Sequence, residues 1–389
     1  MIRLDRVALR EIHLPLVEPF ETSAGVVGER RILLLELTDT DGGETWSECV
    51  AEALPTYSPD TVDTCWLALS DWIIPLALGQ SFAAPSDVHA VLERQVRGHR
   101  MARAAVEMGV WALDSKRQGL SLAERLAQQI PGAARNNVAP RSHVETGIAI
   151  GFQTSPDALA ERCRSALAEG YRRIKIKIAP GRDFEFVQAS RDAVNTACSL
   201  TVDANCSYTL SDADHVRALE NLDTLGLSMI EQPLAHDDLV HHAELQRRLS
   251  TRLCLDESIV GEAATEEMIV LGSARVVNLK PGRVGGFQQA LAIHDLCAQA
   301  GIAVWCGGML ECGIGRAYNV ALASLPNFTE PGDLSPSSRY WARDVVKQPW
   351  TMDAAGRVRV PLDSAGPGFE VDTGFVDDIT VRRASFSAQ

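Results

Sequence analysis

Five short apolar runs, each containing a charged residue at or near its end, constrain the fold of this chain more than any other feature. The runs are R-I-K-I-K-I (173–178), L-T-V-D-A-N (200–205), S-M-I-E-Q-P (228–233), L-C-L-D-E-S (253–258) and V-V-N-L-K-P-G (276–282). Their charges follow at steps of 28, 28, 25 and 24 residues, counted through Lys175, Asp203, Glu231, Asp256 and Lys280. Such a step holds one strand, one crossover helix and two loops, and right-handed repeats of this kind close into a barrel of parallel strands. The sequence therefore predicts an α/β fold with a (β/α)8-type barrel.

Three of these charges are carboxylates, and they are predicted to end neighbouring strands. Buried parallel strands read as unbroken apolar runs, so a charge belongs at the carboxyl end, which carries the chemistry in such barrels. Asp203, Glu231 and Asp256 would converge there, and three carboxylates repel one another unless a cation neutralises them. Hard oxygen ligands suit Mg²⁺, with Mn²⁺ or another divalent cation as alternatives. A structural network of salt bridges could use the same residues.

The lysines flank the carboxylates along the chain. Lys175 and Lys177 precede them and Lys280 follows. This order suits removal of a proton beside a substrate carboxylate, with a neutral lysine as the base. Nearby cations lower a lysine pKa, so we predict that Lys177 and Lys280 are the catalytic bases and that Lys175 lends positive charge. Arg283 would help to keep Lys280 deprotonated, although a surface arginine fits the sequence equally well.

Composition narrows the class of protein. The chain has 389 residues, is 46% hydrophobic and carries a net charge of −14. Without a basic run, it is not expected to bind nucleic acid or an anionic membrane surface. The first 20 residues carry charges and lack the apolar core of a signal peptide, and no apolar stretch reaches membrane-spanning length. Nine scattered cysteines without a C-x-x-C pair indicate reduced thiols, so we expect a cytoplasmic protein.

The regions outside the barrel predict a second unit of mixed helices and strands. Its predicted strands are 2–14, 31–39 and 44–51, its helices lie within 60–129, and two apolar stretches within 355–383 are predicted to return to it. We therefore divide the chain into an α+β capping domain, 1–130 with the C-terminal tail 355–389, and a barrel domain, 131–354.

Two stretches of the capping domain are predicted to close over the site. Residues 19–29 are rich in glycine and small polar residues, which suits a closing loop, with a long hairpin as the alternative. Residues 52–59 form the second loop. Its Tyr57 would reach a ligand or pack beneath the loop.

Other barrel residues are candidates because of their neighbours. The first, seventh and eighth strands are predicted at 142–150, 302–308 and near 328–334. Gly307 and Gly308 follow the seventh strand and would let the backbone approach a ligand, or simply form a tight turn. Asn205 and Glu257 lie beside predicted metal ligands. We expect Asn205 to contact the substrate and Glu257 to support the ligands.

These motifs resemble those of the enolase superfamily, muconate-lactonizing subgroup, and within it the N-acylamino acid racemase and o-succinylbenzoate synthase family. The likeness covers nearly the whole chain, and its most specific stretches are Y-R-R-I-K-I-K-I, T-V-D-A-N, I-E-Q-P-L, C-L-D-E-S, N-L-K-P-G-R-V-G-G and V-W-C-G-G-M-L-E-C-G-I-G-R-A. The resemblance implies a modified TIM barrel beneath a capping domain with two loops over the site, and an assembly of several subunits. It places the family's K-x-K pair at Lys175 and Lys177, its metal carboxylates at Asp203, Glu231 and Asp256, and its second base at Lys280.

The resemblance also extends the substrate site. The stretch from Gly307 to Arg316 is close to a subfamily signature, which adds Met309, Glu311 and Ile314 to the expected substrate contacts. An arginine at the position of Arg283 is typical of members that racemise.

One position departs from the family pattern. The first barrel strand usually carries a small polar residue near the substrate, and we align Glu145 there. An acid at this position would repel a remote substrate carboxylate, which favours an acyl group other than succinyl or a polar side chain.

The resemblance implies racemisation of an N-acylamino acid, a small-molecule carboxylate, together with o-succinylbenzoate synthase activity. The alternatives are a synthase on the route to menaquinone as the main activity, a dipeptide epimerase, a muconate cycloisomerase, or a binding protein without catalysis. All the enzymes among these would share the same six charged residues.

Overall fold

The computed structural model describes residues 1–22, 25–131, 138–194 and 198–388. Its first part is an antiparallel sheet covered by helices. The strands are β1 (Ile2–Thr22), β2 (Gly25–Asp39), β3 (Glu44–Cys49) and β4 (Ser81–Phe82). The helices are α1 (Val62–Ala68), α2 (Ile74–Ala77), α3 (Pro85–Gln95), α4 (Arg100–Arg117) and α5 (Leu122–Ala127), with a π-helical segment, Leu69–Ile73, between the first two.

Helix α4 packs closely on this sheet because its contact face is built from small residues. The stripe that includes Ala105, Met108 and Ala112 is buried, as its helical spacing predicts. A Cβ atom at Gly109 would lie 2.8 Å from a methyl group of Leu37 on β2. Glycine at this position therefore lets the helix and the sheet approach each other.

The second part alternates strands and helices. After the short strand β5 (His143–Glu145), seven parallel strands follow: β6 (Gly147–Ile150), β7 (Arg173–Lys177), β8 (Ser199–Asp203), β9 (Met229–Glu231), β10 (Leu253–Leu255), β11 (Val276–Leu279) and β12 (Ala303–Cys306). The intervening helices are α6 (Pro156–Ala168), α7 (Phe184–Ala193), α8 (Ala213–Leu222), α9 (Leu239–Arg248), α10 (Glu262–Leu271), α11 (Pro281–Val284), α12 (Phe287–Gln299) and α13 (Gly313–Ala323). The strands lie side by side in chain order, and the five runs that predicted a repeat coincide with β7 to β11.

The two edges of the parallel sheet are joined by the segment predicted as the eighth strand. Residues 328–334 do not form a regular strand, but the Thr329 amide donates to Val304 on β12 and the Gly147 amide on β6 donates to Gly332. The distances are 3.1 and 2.7 Å. The sheet is therefore curled, with its two edge strands connected through this segment.

The C-terminal tail divides between the two parts. Strand β14 (Thr380–Ser387), which follows helix α14 (Thr373–Asp378), pairs with β1, as predicted for a tail that returns to the N-terminal sheet. The prediction that the V-R-V-P stretch also returns is wrong, because β13 (Arg357–Arg359) pairs with β5. In the described residues, none of the helices combines the length and apolar character that a membrane span needs.

Candidate active site

The six predicted charged residues meet at the carboxyl end of the parallel sheet. Lys175 and Lys177 are two residues apart on β7, so their side chains leave the same face of the strand. Asp203 and Glu231 end β8 and β9, and Asp256 and Lys280 immediately follow β10 and β11. All six side chains are buried. The cross-strand register places Lys177 beside Asp203, and Asp203 beside Glu231.

Each carboxylate of this cluster is paired with a lysine. The Lys177 Nζ atom lies 2.7 Å from an oxygen of Asp203, and the Lys280 Nζ atom lies 2.8 Å from an oxygen of Asp256. Lys175 lies between the others, with its Nζ atom 3.0 Å from Glu231 and 3.4 Å from Asp203. The two outer lysines therefore stand on strands β7 and β11, with the three carboxylates on the strands between them.

Burial and charge move the pKa values of these groups in different directions. Burial and the neighbouring Asp203 raise the pKa of Glu231 to about 7. Burial alone would raise the pKa of Asp203, but Lys177 and Lys175 hold it below its usual value. Burial lowers the pKa of Lys280, but Asp256 and Tyr57 together raise it above its ordinary value. The predicted lowering of the Lys280 pKa depends on a nearby metal ion and stays a prediction.

Tyr57 reaches the cluster from the second predicted loop. Its hydroxyl donates to Asp256 at 2.9 Å and accepts from Lys280 at 3.0 Å. It also accepts from Arg283 at 3.1 Å. The Lys280 ammonium lies 4.5 Å from the centre of the tyrosine ring. Tyr57 thus contacts the cluster and lines the cavity, and its predicted contact with a ligand stays a prediction.

Arg283 is buried beneath the cluster rather than exposed in a surface loop. It is ion-paired with Asp256 and donates to the backbone carbonyls of Asn278 and Ile259. It is not among the described residues that line the cavity. Its charge acts to lower the pKa of Lys280, in the predicted direction, although its direct contacts are with Asp256 and Tyr57.

Asn205 and Glu257 form a chain of hydrogen bonds that begins at Lys177. The Asn205 side-chain oxygen accepts from Lys177 at 2.7 Å, and its amide nitrogen donates to Glu257 at 3.0 Å. The second oxygen of Glu257 has no hydrogen-bond partner in the described part of the chain. Burial, followed by repulsion from Asp256 and Asp203, raises the pKa of Glu257 to about 8.

A cavity of about 390 Å³ lies over the cluster. Its wall from the N-terminal domain includes Phe20, Thr22, residues 25–31 and most of 52–57, so both predicted closing stretches border it. The first stretch is not an irregular loop: β1 runs to Thr22 and β2 starts at Gly25, which makes it the end of a long hairpin. Ser23 and Ala24, within that predicted stretch, lie outside the described residues.

The glycine-rich stretch after β12 contributes part of the wall. Gly308 and Met309 line the cavity, as predicted. Gly307 lies behind them, where a Cβ atom would be 2.1 Å from Asn278 Oδ1 and 2.6 Å from Lys280 Cε. Gly307 is therefore needed for the close approach of the Lys280 side chain.

Three predicted substrate contacts do not reach the cavity. Glu311 accepts from the backbone amide of Met309 at 2.8 Å and so holds this stretch in place, and Ile314 is fully buried in the hydrophobic core. Glu145 is exposed on β5, before the amino end of the first parallel strand, and Ala149 is the residue of β6 that lines the cavity. The predicted repulsion between Glu145 and a remote substrate carboxylate is therefore wrong.

The sequence interpretation missed a buried network beneath Lys175. Asp333 lies 3.0 Å from the Lys175 Nζ atom and is also ion-paired with Arg173. The Arg173 guanidinium stacks 3.8 Å from the ring centre of Trp305. Asn278 donates to Glu231 at 2.7 Å. A signal was present, because Arg173 precedes Lys175 by two residues and Asn278 precedes Lys280 by two, which places each pair on one face of its strand.

The carboxylates were tested as a metal site. In the described ranges, no three side chains of His, Cys, Asp or Glu are already grouped as ligands of an ion, and the three carboxylates take lysine ammonium groups instead. Their chemistry nevertheless fits a hard divalent cation, since all three are buried oxygen donors on adjacent strands.

The architecture is a curled parallel sheet with lysines and carboxylates at its carboxyl end and a separate domain with an antiparallel sheet. Residues 158–374 match the family described as "Enolase C-terminal domain-like". Residues 6–126 match the "Mandelate racemase / muconate lactonizing enzyme, N-terminal domain". The chain belongs to the enolase superfamily, whose sites combine a Lys or His base with one or two Mg²⁺ ions.

Relatives of known name cover nearly the whole chain. The o-succinylbenzoate synthase of Geobacillus stearothermophilus is 43% identical over 379 residues, which are 97% of this chain and 96% of the relative. The N-succinylamino acid racemase of Thermus thermophilus is 42% identical over 387 residues, which are 100% of both. A crystal structure of an enolase-superfamily member from Listeria innocua has a TM-score of 0.91 and 35% identity, and covers 100% of both chains.

Proposed function

We propose that the protein is a divalent-metal-dependent N-acylamino acid racemase that also has o-succinylbenzoate synthase activity. The observation that carries the proposal is the position of two buried lysines on either side of three carboxylates. Lys177 belongs to β7 and Lys280 follows β11, and both line the same cavity. Two amines on opposite sides of one bound molecule are what an exchange of configuration at a carbon atom requires.

Asp203, Glu231 and Asp256 would hold the cation, with Mg²⁺ as the first choice and Mn²⁺ as the second. When bound, the cation would supply positive charge to the substrate carboxylate and so make the neighbouring hydrogen more acidic. Carboxylate oxygens that bind a cation are no longer free to hold the protons of the lysines. Lys177 and Lys280 would therefore both lose a carboxylate partner when the cation binds.

In the racemase reaction, Lys177 removes the α-proton from one face of the substrate and Lys280 delivers a proton to the other face, or the reverse. Lys175 stays charged, because it contacts Glu231 and Asp333 as well as Asp203. Its positive charge would stabilise the negative charge that develops on the substrate. Tyr57 and Arg283 would orient Lys280 through their contacts with it and with Asp256.

The synthase reaction would begin with the same proton removal, after which the intermediate loses water. Lys177 would then act as base and acid on one face, while Lys280 remains a cation. The name of the Geobacillus stearothermophilus relative supports this second activity, and that of the Thermus thermophilus relative supports the first. If the synthase is the main activity, a role on the route to menaquinone follows.

The proposal also covers the domain organisation, the compartment and the assembly of the protein. We infer a modified TIM barrel, 131–354 together with β13, and a capping domain made of 1–130 with β14 of the tail. The pairing of β14 with β1 supports the return of the tail, whereas β13 belongs with the barrel. We further propose a cytoplasmic homo-oligomer that binds a small carboxylate and neither nucleic acid nor membrane.

The experiment is a substrate panel with Mg²⁺. Single enantiomers of N-acetyl and N-succinyl amino acids, an Ala-Glu dipeptide, muconolactone and the synthase substrate are incubated with the protein and followed by chiral chromatography. We expect racemisation of N-acylamino acids and formation of o-succinylbenzoate, and loss of the racemase reaction in Lys280→Ala. Turnover of the dipeptide or the lactone alone would contradict the proposal.

A further inference from the structure

Five cationic side chains line the cavity, and they differ in how their charge is compensated. The five are Arg30, Arg31, Lys175, Lys177 and Lys280. The three lysines pair with carboxylates of the cluster, and Arg31 pairs with Glu11 and Asp63 at 2.7 and 2.8 Å. Arg30 alone has no carboxylate oxygen within 4.0 Å of its side-chain nitrogens in the described part of the chain.

The Arg30 guanidinium is buried, with 2% of the residue exposed, but only partly satisfied. Its Nη2 atom donates to the carbonyls of Val50 and Ala51 at 3.0 and 3.1 Å. Its Nε atom is enclosed and has no hydrogen-bond partner among the described residues. A buried cation in this state is costly unless an anion completes its environment.

The neighbouring carboxyl of Glu48 does not supply that anion. Burial raises the pKa of Glu48 to about 8, although the charge of Arg30 acts to lower it. Its oxygens are already taken by the backbone amides of Cys312 and Gly315. No Glu48 oxygen lies within 4.0 Å of an Arg30 side-chain nitrogen, so Glu48 does not form an ion pair with Arg30.

Resting on the proposed function, we propose that Arg30 receives a carboxylate at the far end of the acyl group and so sets the preference of the site for acyl groups that carry a second negative charge. The amino-acid carboxylate belongs at the floor, with the cluster at the strand ends. Arg30 stands on β2, in the wall that the N-terminal domain contributes. Ala149, the residue of the first parallel strand that lines the cavity, carries no acid, and the acids of the N-terminal wall, Glu29 and Glu52, form no ion pair with Arg30.

A purely structural role for Arg30 predicts a different result. Its bonds to Val50 and Ala51 hold the start of the stretch that carries Tyr57. If that were its whole role, a substitution would slow every substrate by the same factor. If Arg30 instead binds the acyl carboxylate, its substitution changes the ratio of kcat/KM between a charged substrate and a neutral one of the same size.

The test compares kcat/KM for N-succinyl-L-phenylalanine and for N-succinamoyl-L-phenylalanine, in which an amide replaces the remote carboxylate. We expect the wild-type protein to favour the succinyl compound, and Arg30→Met to reduce the ratio about ten- to a hundredfold, which corresponds to one lost charge-assisted hydrogen bond. Arg30→Lys should keep part of the preference. Arg31→Met, which removes a cation of the same wall that is already paired, should leave the ratio unchanged.

Each outcome decides a separate point. An unchanged ratio in Arg30→Met, with both rates reduced equally, would overturn the inference and leave only the structural role. If Arg30→Met does not fold, equal kcat/KM values for the two compounds with the wild-type protein would overturn it as well. Failure of the wild-type protein to racemise either compound would instead overturn the proposed function.

Discussion

Removal of the Tyr57 hydroxyl isolates the contribution of the N-terminal domain to catalysis. In Tyr57→Phe, Asp256 loses a donor at 2.9 Å, and Lys280 and Arg283 lose an acceptor at 3.0 and 3.1 Å. Hydrogen bonds to charged groups contribute about 1.5–3 kcal/mol each. These contributions do not add, because Lys280 and Arg283 keep their ion pairs with Asp256. We therefore expect the activation barrier to rise by about 2 kcal/mol, which is roughly a 30-fold loss of kcat/KM.

The loss should also be asymmetric. Tyr57 bonds to Lys280, whereas Lys177 bonds to Asp203 and Asn205, so the enantiomer whose proton is removed by Lys280 should be affected more. The assay is α-hydrogen exchange in D₂O, measured by NMR for each enantiomer separately. Equal slowing of both enantiomers, or no slowing, would refute the reasoning.

A matched control separates this effect from the loss of any buried hydroxyl. Tyr208 also donates to a carboxylate, that of Asp183, at 3.0 Å, but it does not line the cavity. Tyr208→Phe should reduce the melting temperature without changing the ratio of the two exchange rates. A change in that ratio as large as in Tyr57→Phe would show that the effect is not local to the site.

Three further predictions concern packing, pH and metal. Gly307→Ala would place a Cβ atom 2.6 Å from Lys280 Cε, so we expect a loss of kcat of at least about a hundredfold, whereas Gly374→Ala, with a nearest contact of 3.8 Å, should have no effect on activity. Burial raises the pKa values of Glu48 and Glu107 from 4.5 to about 8 and about 7, so the folded state binds their protons more tightly than the unfolded state. The free energy of unfolding should therefore fall as pH rises from about 4.5 to 8, which urea unfolding at a series of pH values measures. Chelation with EDTA should abolish α-hydrogen exchange and lower the melting temperature, and Mg²⁺ should restore both.

The pH prediction has its own control. Glu48→Gln cannot take up this proton, so the fall of unfolding free energy with pH should be smaller than in the wild-type protein. An identical pH dependence in the two proteins would contradict the raised pKa of Glu48. Full activity after chelation would contradict the metal-dependent mechanism, and unchanged kcat in Gly307→Ala would contradict the close packing around Lys280.

The ends of the parallel strands could be predicted because two strong constraints act on the same residues. A strand buried on both faces must be apolar until it reaches the open end, so each charge marks that end and its spacing marks the repeat. This is why Asp203, Glu231 and Asp256 were placed correctly. The position of Tyr57 over the site could also be predicted, because its loop was expected to cover the open end of the barrel.

Other features depend on contacts that local sequence does not contain. Glu145 was read as part of one strand, 142–150, but the chain divides at Thr146 into a strand that pairs with β13 and one that joins the parallel sheet. The pKa of Lys280 depends in part on its ion pair with Asp256, a contact that the local sequence does not show. Glu311 belongs to a family signature, yet its role is to hold the backbone of Met309.

The local sequence also does not reveal the environment of Arg30. On the strand β2 it is an ordinary charged residue between Glu29 and Arg31. Only the folded protein shows that Arg31 has carboxylate partners, whereas Arg30, which borders the same cavity, has none among the described residues.

The most direct test of the central claim, two opposed lysine bases, is α-hydrogen exchange in D₂O by Lys177→Ala and Lys280→Ala with each pure enantiomer of an N-acylamino acid. The account predicts that neither variant racemises the substrate, and that each still exchanges the hydrogen of one enantiomer, a different one in each variant. Exchange of both enantiomers by either variant would contradict the assignment of one lysine to each face.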